Sequence, residues 1–206
     1  MKRTKKRVLV SAACLLGVSL LTGCVQKFDA EGYVKACLDA LYMRDYEEYA
    51  QQVGISVEEA QSDMEGQVDE SLESAFAGDT LTSEEDRQAY RDTMIEIYSL
   101  AKYEVTGSEE NDGDYIVTVS VQPSSIFEDL ENGFTEVITE KVSDGSFEQS
   151  KTIAYLNEYL KQRIAENVYG EATEIQVNVT GDENHVYTIP EEDLTSIEGA
   201  LFPGAV

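Results

Sequence analysis

KYEVTGSEENDGDYIVTVSVQ, residues 102–122, has the pattern of two β-strands joined by a tight turn. From Tyr115 to Val121 every second residue is large and apolar, so one side of that strand is expected to face the core. Asn111-Asp112-Gly113 lies between the two runs, and these residue types tolerate the positive φ angles of a short hairpin loop. Pro123 then closes the second strand, because proline has no N–H for a sheet ladder. The stretch therefore predicts an antiparallel β-hairpin.

A second stretch, nearer the C-terminus, has the same organisation. ATEIQVNVT, residues 172–180, and HVYTI, residues 185–189, are rich in β-branched and aromatic residues, and the turn residues GDEN separate them. Two hairpins predict a mainly antiparallel four-stranded sheet.

The other segments have the 3.6-residue period of amphipathic helices. In the first, Val34, Cys37, Leu38 and Leu41 fall at helical spacing. Ser or Thr followed three residues later by Glu or Gln is a capping box, which marks a helix start. The first predicted helix spans residues 28–52, and the next four begin at the pairs Ser56–Glu59, Thr82–Glu85, Ser125–Glu128 and Ser146–Gln149. A short helix is expected after Pro190, and Gly170 is expected to end the fifth.

About five helices and two hairpins predict an α+β fold, with the helices packed on one face of the sheet. No low-complexity linker interrupts residues 28–206, so we expect one domain. Residues 83–122 and 147–190 each contain a helix followed by a strand pair, which indicates a weak internal repeat. The alternative is a cystatin-like or nuclear-transport-factor-like α+β cone, which the segment from Ala40 to Ala50 resembles and in which an early helix crosses a curved sheet.

The first 23 residues have the features of a secretory signal peptide. Five basic residues lie within positions 2–7, and the largely apolar run VLVSAACLLGVSLL follows at residues 8–21. That run is shorter than the roughly 20 apolar residues that a transmembrane helix needs.

Leu21-Thr22-Gly23-Cys24 resembles the lipobox of bacterial lipoproteins. The resemblance implies that the chain is cut between Gly23 and Cys24 and that the Cys24 sulfur receives a diacylglyceryl group. Two acyl chains make a stable membrane anchor, whereas one does not. Residues 24–27 would then be a short tether, and the domain would sit on the extracytoplasmic face of the cell membrane.

The chain also resembles the small lipoproteins of Gram-positive anaerobes whose domain has no assigned function. The resemblance rests on the lipobox, on ALYMRDYEEYA at residues 40–50, and on the helix-then-hairpin order ending in DYIVTVSVQP. It implies a membrane-anchored surface protein.

The charge of the predicted mature chain is strongly negative. All 41 acidic residues follow Cys24, and ten of the 15 basic residues do, which leaves a net charge of −31. Nucleic acid is not expected as a partner, because phosphates are bound through Lys and Arg. We expect a membrane contact through the lipid anchor and an unknown protein, peptide or glycan partner.

Three tyrosines in the first predicted helix suggest a ligand platform. Tyr42, Tyr46 and Tyr49 fall at i, i+4 and i+7, so their rings share one helix face. An aromatic surface of this kind could bind a sugar or a peptide; the alternative is that the rings cover the edge of the core.

Motifs for catalysis are lacking in the sequence. His185 has no second histidine near it, and Cys37 stands in an apolar stripe as the last cysteine of the predicted mature chain. We therefore expect no metal site and no cofactor, and we assign no catalytic residue. The favoured function is a non-catalytic binding module. The alternatives are a cell-wall or glycan-processing enzyme that uses carboxylates, and an accessory solute-binding component.

Overall fold

The computed structural model describes residues 28–183 and 186–205, together with the backbone of Val18–Ser19. These residues form an α+β fold, as predicted. The described strands of the domain are β1 (Lys102–Asn111), β2 (Asp114–Gln122), β3 (Thr173–Gly181) and β4 (Val186–Thr188). The described α-helices are α1 (Ala30–Leu38), α2 (Glu47–Val53), α3 (Val57–Ala75), α4 (Glu84–Tyr98), α5 (Leu130–Ser143), α6 (Thr152–Ala165) and α7 (Glu191–Leu201).

The four strands form an antiparallel sheet in the order β1-β2-β3-β4. Both predicted hairpins are confirmed, and the two are joined where β2 pairs with β3. Asp112 and Gly113 have φ angles of 52° and 94°, which is the left-handed backbone that the Asn-Asp-Gly turn predicts. Val18–Ser19 forms a further two-residue strand that pairs antiparallel with the outer edge of β4.

The predicted inner face of the first hairpin is confirmed. Val117, Val119 and Val121 on β2 are fully buried, and they share one core with Val177 and Val179 on β3. Helix α1 contacts β1 and β2, and α7 contacts β2 and β3. The core therefore lies between this sheet face and the two helices. A smaller apolar cluster joins α3 to α4 and α6 through Val68, Leu72 and Phe76 with Tyr90 and Ile153.

The described residues contain seven α-helices, where the sequence predicts about five and a short C-terminal one. The predicted helix 28–52 is divided into α1, a π-helical turn (Asp39–Met43) and α2. The division occurs at Arg44, whose φ of 58° cannot continue a right-handed helix. The helix predicted after Pro190 is confirmed as α7, which runs for 11 residues and buries Leu194, Ile197 and Leu201.

Two of the predicted helix starts are misplaced because their hydroxyl groups have other partners. Ser83, rather than Thr82, caps α4 through the N–H of Asp86, since the Thr82 hydroxyl donates a hydrogen bond to Asp79. The Ser125 hydroxyl accepts a hydrogen bond from the N–H of Val168, and α5 begins only at Leu130.

The fifth predicted helix is also shorter than expected. A 3₁₀ turn (Gln149–Lys151) precedes α6, and α6 ends at Ala165 rather than at Gly170. The chain leaves the helix there because Asn167 accepts hydrogen bonds from the Ser125 N–H and the Ser124 hydroxyl at 3.1 and 2.8 Å.

Candidate functional site

The chain leaves helix α1 through an unusual turn that builds one side of a cavity. Asp39–Met43 forms a π-helical turn, and the Asp39 carbonyl accepts the backbone N–H groups of Arg44 and Asp45. Isolated π turns in helices occur frequently at functional sites. Arg44 follows with left-handed backbone, which is uncommon for a residue with a Cβ. Together these features place Tyr42 and Arg44 beside the C-terminal half of α7.

The cavity lies where this turn meets α3, the end of α4, and α7. Its volume is about 410 Å³, counting the outer part that opens to solvent, and its inner part has room for about one water molecule. Most of its wall is apolar or aromatic, and the polar groups come from an arginine, two tyrosines and a glutamate. The lining residues are Leu41, Tyr42, Arg44, Met64, Val68, Tyr98, Leu194 and Glu198.

Glu198 is a buried carboxyl group in this wall. Its side chain is 8% exposed, and its Oε1 accepts a hydrogen bond from the Tyr98 hydroxyl at 3.4 Å. Burial raises the pKa of Glu198 to about 7, and the Tyr98 hydrogen bond offsets part of that rise. The pKa of Tyr98 is raised as well, first by burial and then by the neighbouring Glu198 charge. Near neutral pH, Glu198 can therefore both donate and accept a proton.

Arg44 has an unsatisfied donor in the same wall. Its Nη1 is 3.5 Å from the Tyr46 hydroxyl, which is the limit of a hydrogen bond. Its Nη2 is buried, and among the described residues no acceptor lies within hydrogen-bond distance of it. A buried polar group without a partner costs about 1–3 kcal/mol, and more when it is charged. The arrangement therefore combines a cationic donor, a proton-bearing carboxyl and an apolar wall in one cavity.

The tyrosines proposed as a platform do not form an open aromatic surface. Tyr42, Tyr46 and Tyr49 are 6%, 7% and 1% exposed and belong to the core. The reason is the break at Arg44, which folds their segment back onto the domain. Of the three, Tyr42 lines the cavity, and the Tyr46 hydroxyl lies beside Arg44.

The other residues singled out in the sequence lie elsewhere. Gly23, Cys24 and His185 are outside the described residues. Cys37 is fully buried on α1, as its apolar stripe predicts. Within residues 28–183 and 186–205, no group of three or more His, Cys, Asp or Glu side chains is arranged to hold a metal ion. The described helices include none with the length and hydropathy needed to cross a membrane.

Sequence reasoning missed Arg44, Tyr98 and Glu198. Glu198 leaves a readable signal, because it lies four residues after Leu194 and three before Leu201 on the apolar stripe of α7. A charged residue at such a position is seldom buried without a specific partner. Arg44 leaves no comparable signal, since the helical pattern continues on both sides of it.

The fold is similar to that of a known bacterial protein. A search of solved structures matches a candidate lipoprotein, ycdA, from Bacillus subtilis subsp. subtilis strain 168, with a TM-score of 0.62 and 9% sequence identity. The match covers 84% of this chain and 56% of that one, so this chain spans little more than half the length of ycdA. No family model and no curated protein matches the sequence. At this identity the likeness shows a shared α+β fold.

The left-handed backbone of Arg44 gives a direct prediction for stability. In Arg44→Gly the strain at φ 58° disappears together with the unpartnered Nη2, so we expect unfolding to require about 1 kcal/mol more free energy. Urea denaturation measures the difference. Lys161→Gly, at an exposed position within α6, is the matched control and should cost about 1 kcal/mol. A lower free energy of unfolding for Arg44→Gly than for the parent would mean that the arginine stabilises the fold.

Proposed function

We propose that this protein is a lipoprotein anchored through Cys24 on the extracytoplasmic face of the membrane, and that its domain is a binding module without catalytic activity. The observation that carries the anchor is Leu21–Cys24, placed directly after a basic and apolar leader. The fold likeness to ycdA, itself described as a candidate lipoprotein, agrees with this proposal.

The domain is expected to lie close to the lipid surface. Phe28 is already part of the core, where its ring stacks on that of Tyr187 with centroids 3.8 Å apart. Three residues separate Cys24 from Phe28. The four residue-to-residue steps between their Cα atoms span at most about 14 Å when the chain is fully extended. Confinement to this thin layer raises the effective concentration of the domain for partners held at the same membrane, so a weak interaction suffices.

The cavity beside Arg44 supports binding over carboxylate catalysis. Most glycoside hydrolases use a pair of carboxyl groups at a defined separation. Glu198 is the one carboxyl group among the described residues that line this cavity. The acidic surface adds long-range attraction for basic partners, which weakens as salt is raised.

One observation favours the enzyme alternative. A glutamate whose pKa is raised to about 7 has the property of a general acid or base at neutral pH. A screen against peptidoglycan, glycan and peptide substrates, run with the parent protein and with Glu198→Gln, separates the two functions. Turnover that is lost in Glu198→Gln, with the fold intact, would make the protein an enzyme; no turnover with either protein agrees with a binding module.

The anchor is tested by removing its sulfur. In Cys24→Ala no thioether to diacylglycerol can form, so we expect a protein without lipid. It should appear either in the culture medium or as a precursor that keeps residues 1–23. Cell fractionation and mass spectrometry of the N-terminal peptide measure this outcome. Cys37→Ala, which changes a fully buried cysteine, is the control and should stay anchored. Recovery of an unmodified peptide that spans Gly23 and Cys24 from most of the mature parent protein would refute the anchor.

A further inference from the structure

From the geometry of the cavity we infer that it binds the carboxylate end of a small apolar ligand, with Arg44 as the anion-binding group. This inference rests on the proposed binding function and deepens it. The chemistry is shared by two sources, a short fatty acid and the free C-terminus of a peptide that ends in an apolar residue.

Arg44 supplies the charge that a carboxylate requires. Its Nη2 is buried in the domain, and no acceptor in the described part of the chain satisfies it. A guanidinium group binds carboxylates through charge-assisted hydrogen bonds, which are about twice as strong as neutral ones. The strained backbone at φ 58° holds this group at the cavity, and such strain is typical of functional sites.

Glu198 and Tyr98 are the other polar groups near the proposed anion, because they line the same cavity as Arg44. When Glu198 is protonated it can donate a hydrogen bond to a ligand oxygen, and when it is ionised it repels a carboxylate. The titratable groups lining the cavity with Glu198 are Tyr98 on α4, Tyr42 in the π turn, and Arg44 directly after it. Helix α3 contributes only Met64 and Val68. Arg44 is therefore the one cationic group among the described lining residues.

The shape of the cavity limits the ligand. Its inner part has room for about one water molecule, so it admits a single ligand oxygen atom and excludes a ring or a sugar. The cavity wall includes Leu41, Met64, Val68 and Leu194, and these side chains suit an aliphatic chain. Aliphatic side chains around a single anchored charge are a common arrangement in small-molecule sites.

Calorimetric titration of the full-length protein in lipid nanodiscs tests the inference, with empty nanodiscs as the blank. The probes are two matched pairs, N-acetyl-leucine with N-acetyl-leucinamide, and hexanoate with hexanamide. For ligands of this size a Kd on the order of 1 mM is expected. Each acid should bind about tenfold more tightly than its amide, because only the acid pairs with the guanidinium group. Tighter binding of N-acetyl-leucine would identify a peptide C-terminus as the ligand, and tighter binding of hexanoate would identify a fatty acid.

Variants separate a specific site from general binding. Arg44→Gly is expected to fold and to lose the tenfold preference for the acids, and Arg44→Lys should retain part of it. Arg87→Gln, which alters an arginine packed over Phe76 outside the cavity, is the control and should bind like the parent. Binding of the acids by the parent protein should weaken about tenfold from pH 6 to pH 8, and by Glu198→Gln it should not change.

Each other outcome overturns the inference. Equal binding of acids and amides, or acid binding that survives in Arg44→Gly, would refute the role of the carboxylate and of Arg44. Absence of binding with all four probes would refute the ligand class. The wider binding function is judged separately, by crosslinking the anchored protein on intact cells and identifying its neighbours, so the two failures are distinguishable.

Discussion

Val119→Asp is expected to abolish stable folding of the domain. Val119 is fully buried on β2, where it lies opposite Val105 of β1 and Ile175 of β3. An aspartate there would place a charge in the apolar layer between the sheet and the helices α1 and α7. An isolated buried carboxylate costs several kcal/mol, or must take up a proton to stay inside. We expect a loss of about 4 kcal/mol or more, which is comparable to the whole stability of many domains.

The neighbouring position on the same strand provides the matched control. Thr118 points to the other, partly exposed face, opposite Gly107 and Gln176. Thr118→Asp introduces the same charge at a partly exposed position, so it should cost only about 1 kcal/mol. Far-ultraviolet circular dichroism with urea denaturation measures both variants. Similar midpoints for Val119→Asp and the parent would show that the inner face of the sheet is assigned wrongly, and two separate transitions in the parent would argue against a single domain.

The sheet was predictable because its signals are local. The alternation from Tyr115 to Val121 reports which side of β2 is buried, and that pattern needs only nine residues to be read. The Asn111-Asp112-Gly113 turn specifies its own backbone, because few residue types accept positive φ. The pairing of β2 with β3 had no such signal, since those strands are separated by two helices.

The break in the first predicted helix was hidden by a pattern that spans it. Tyr42, Tyr46 and Tyr49 continue the helical spacing of the residues before them, and all three are buried in the structure. The division occurs at Arg44, which is neither glycine nor asparagine, so its residue type gives no sign of left-handed backbone. Tertiary packing, rather than local preference, therefore determines this turn.

The cavity depends on contacts that a linear reading does not reveal. Tyr98 and Glu198 are 100 residues apart, yet the hydroxyl of one donates to the carboxyl of the other. Glu198 could have been noticed as an acid on the apolar stripe of α7, but its partner could not. The sequence therefore indicates that a buried acid exists, and the fold is needed to show which groups surround it.

Glu198→Gln is expected to stabilise the protein near and above neutral pH, and to have little effect in acid. Burial raises the pKa of Glu198 from 4.5 to about 7 in the folded state. Between these values the unfolded chain has lost the proton that the folded chain retains, so the stability of the parent falls as the pH rises. The contribution of the neutral carboxyl is complete below pH 4.5 and is lost above about 7. A shift of this size corresponds to about 3 kcal/mol.

A glutamine at position 198 stays neutral at every pH and can still accept the Tyr98 hydrogen bond. The free energy of unfolding, measured with urea, should therefore exceed that of the parent by about 3 kcal/mol at pH 8 and by less than about 1 kcal/mol at pH 5. Glu192→Gln, on the exposed side of α7, is the control and should change stability by less than about 1 kcal/mol at both pH values. A gain for Glu198→Gln that is equal at pH 5 and pH 8 would contradict a buried, proton-bearing carboxyl in this cavity. A gain confined to high pH would mean that the protein keeps this acid at a cost to its own stability, as expected for a residue retained for binding.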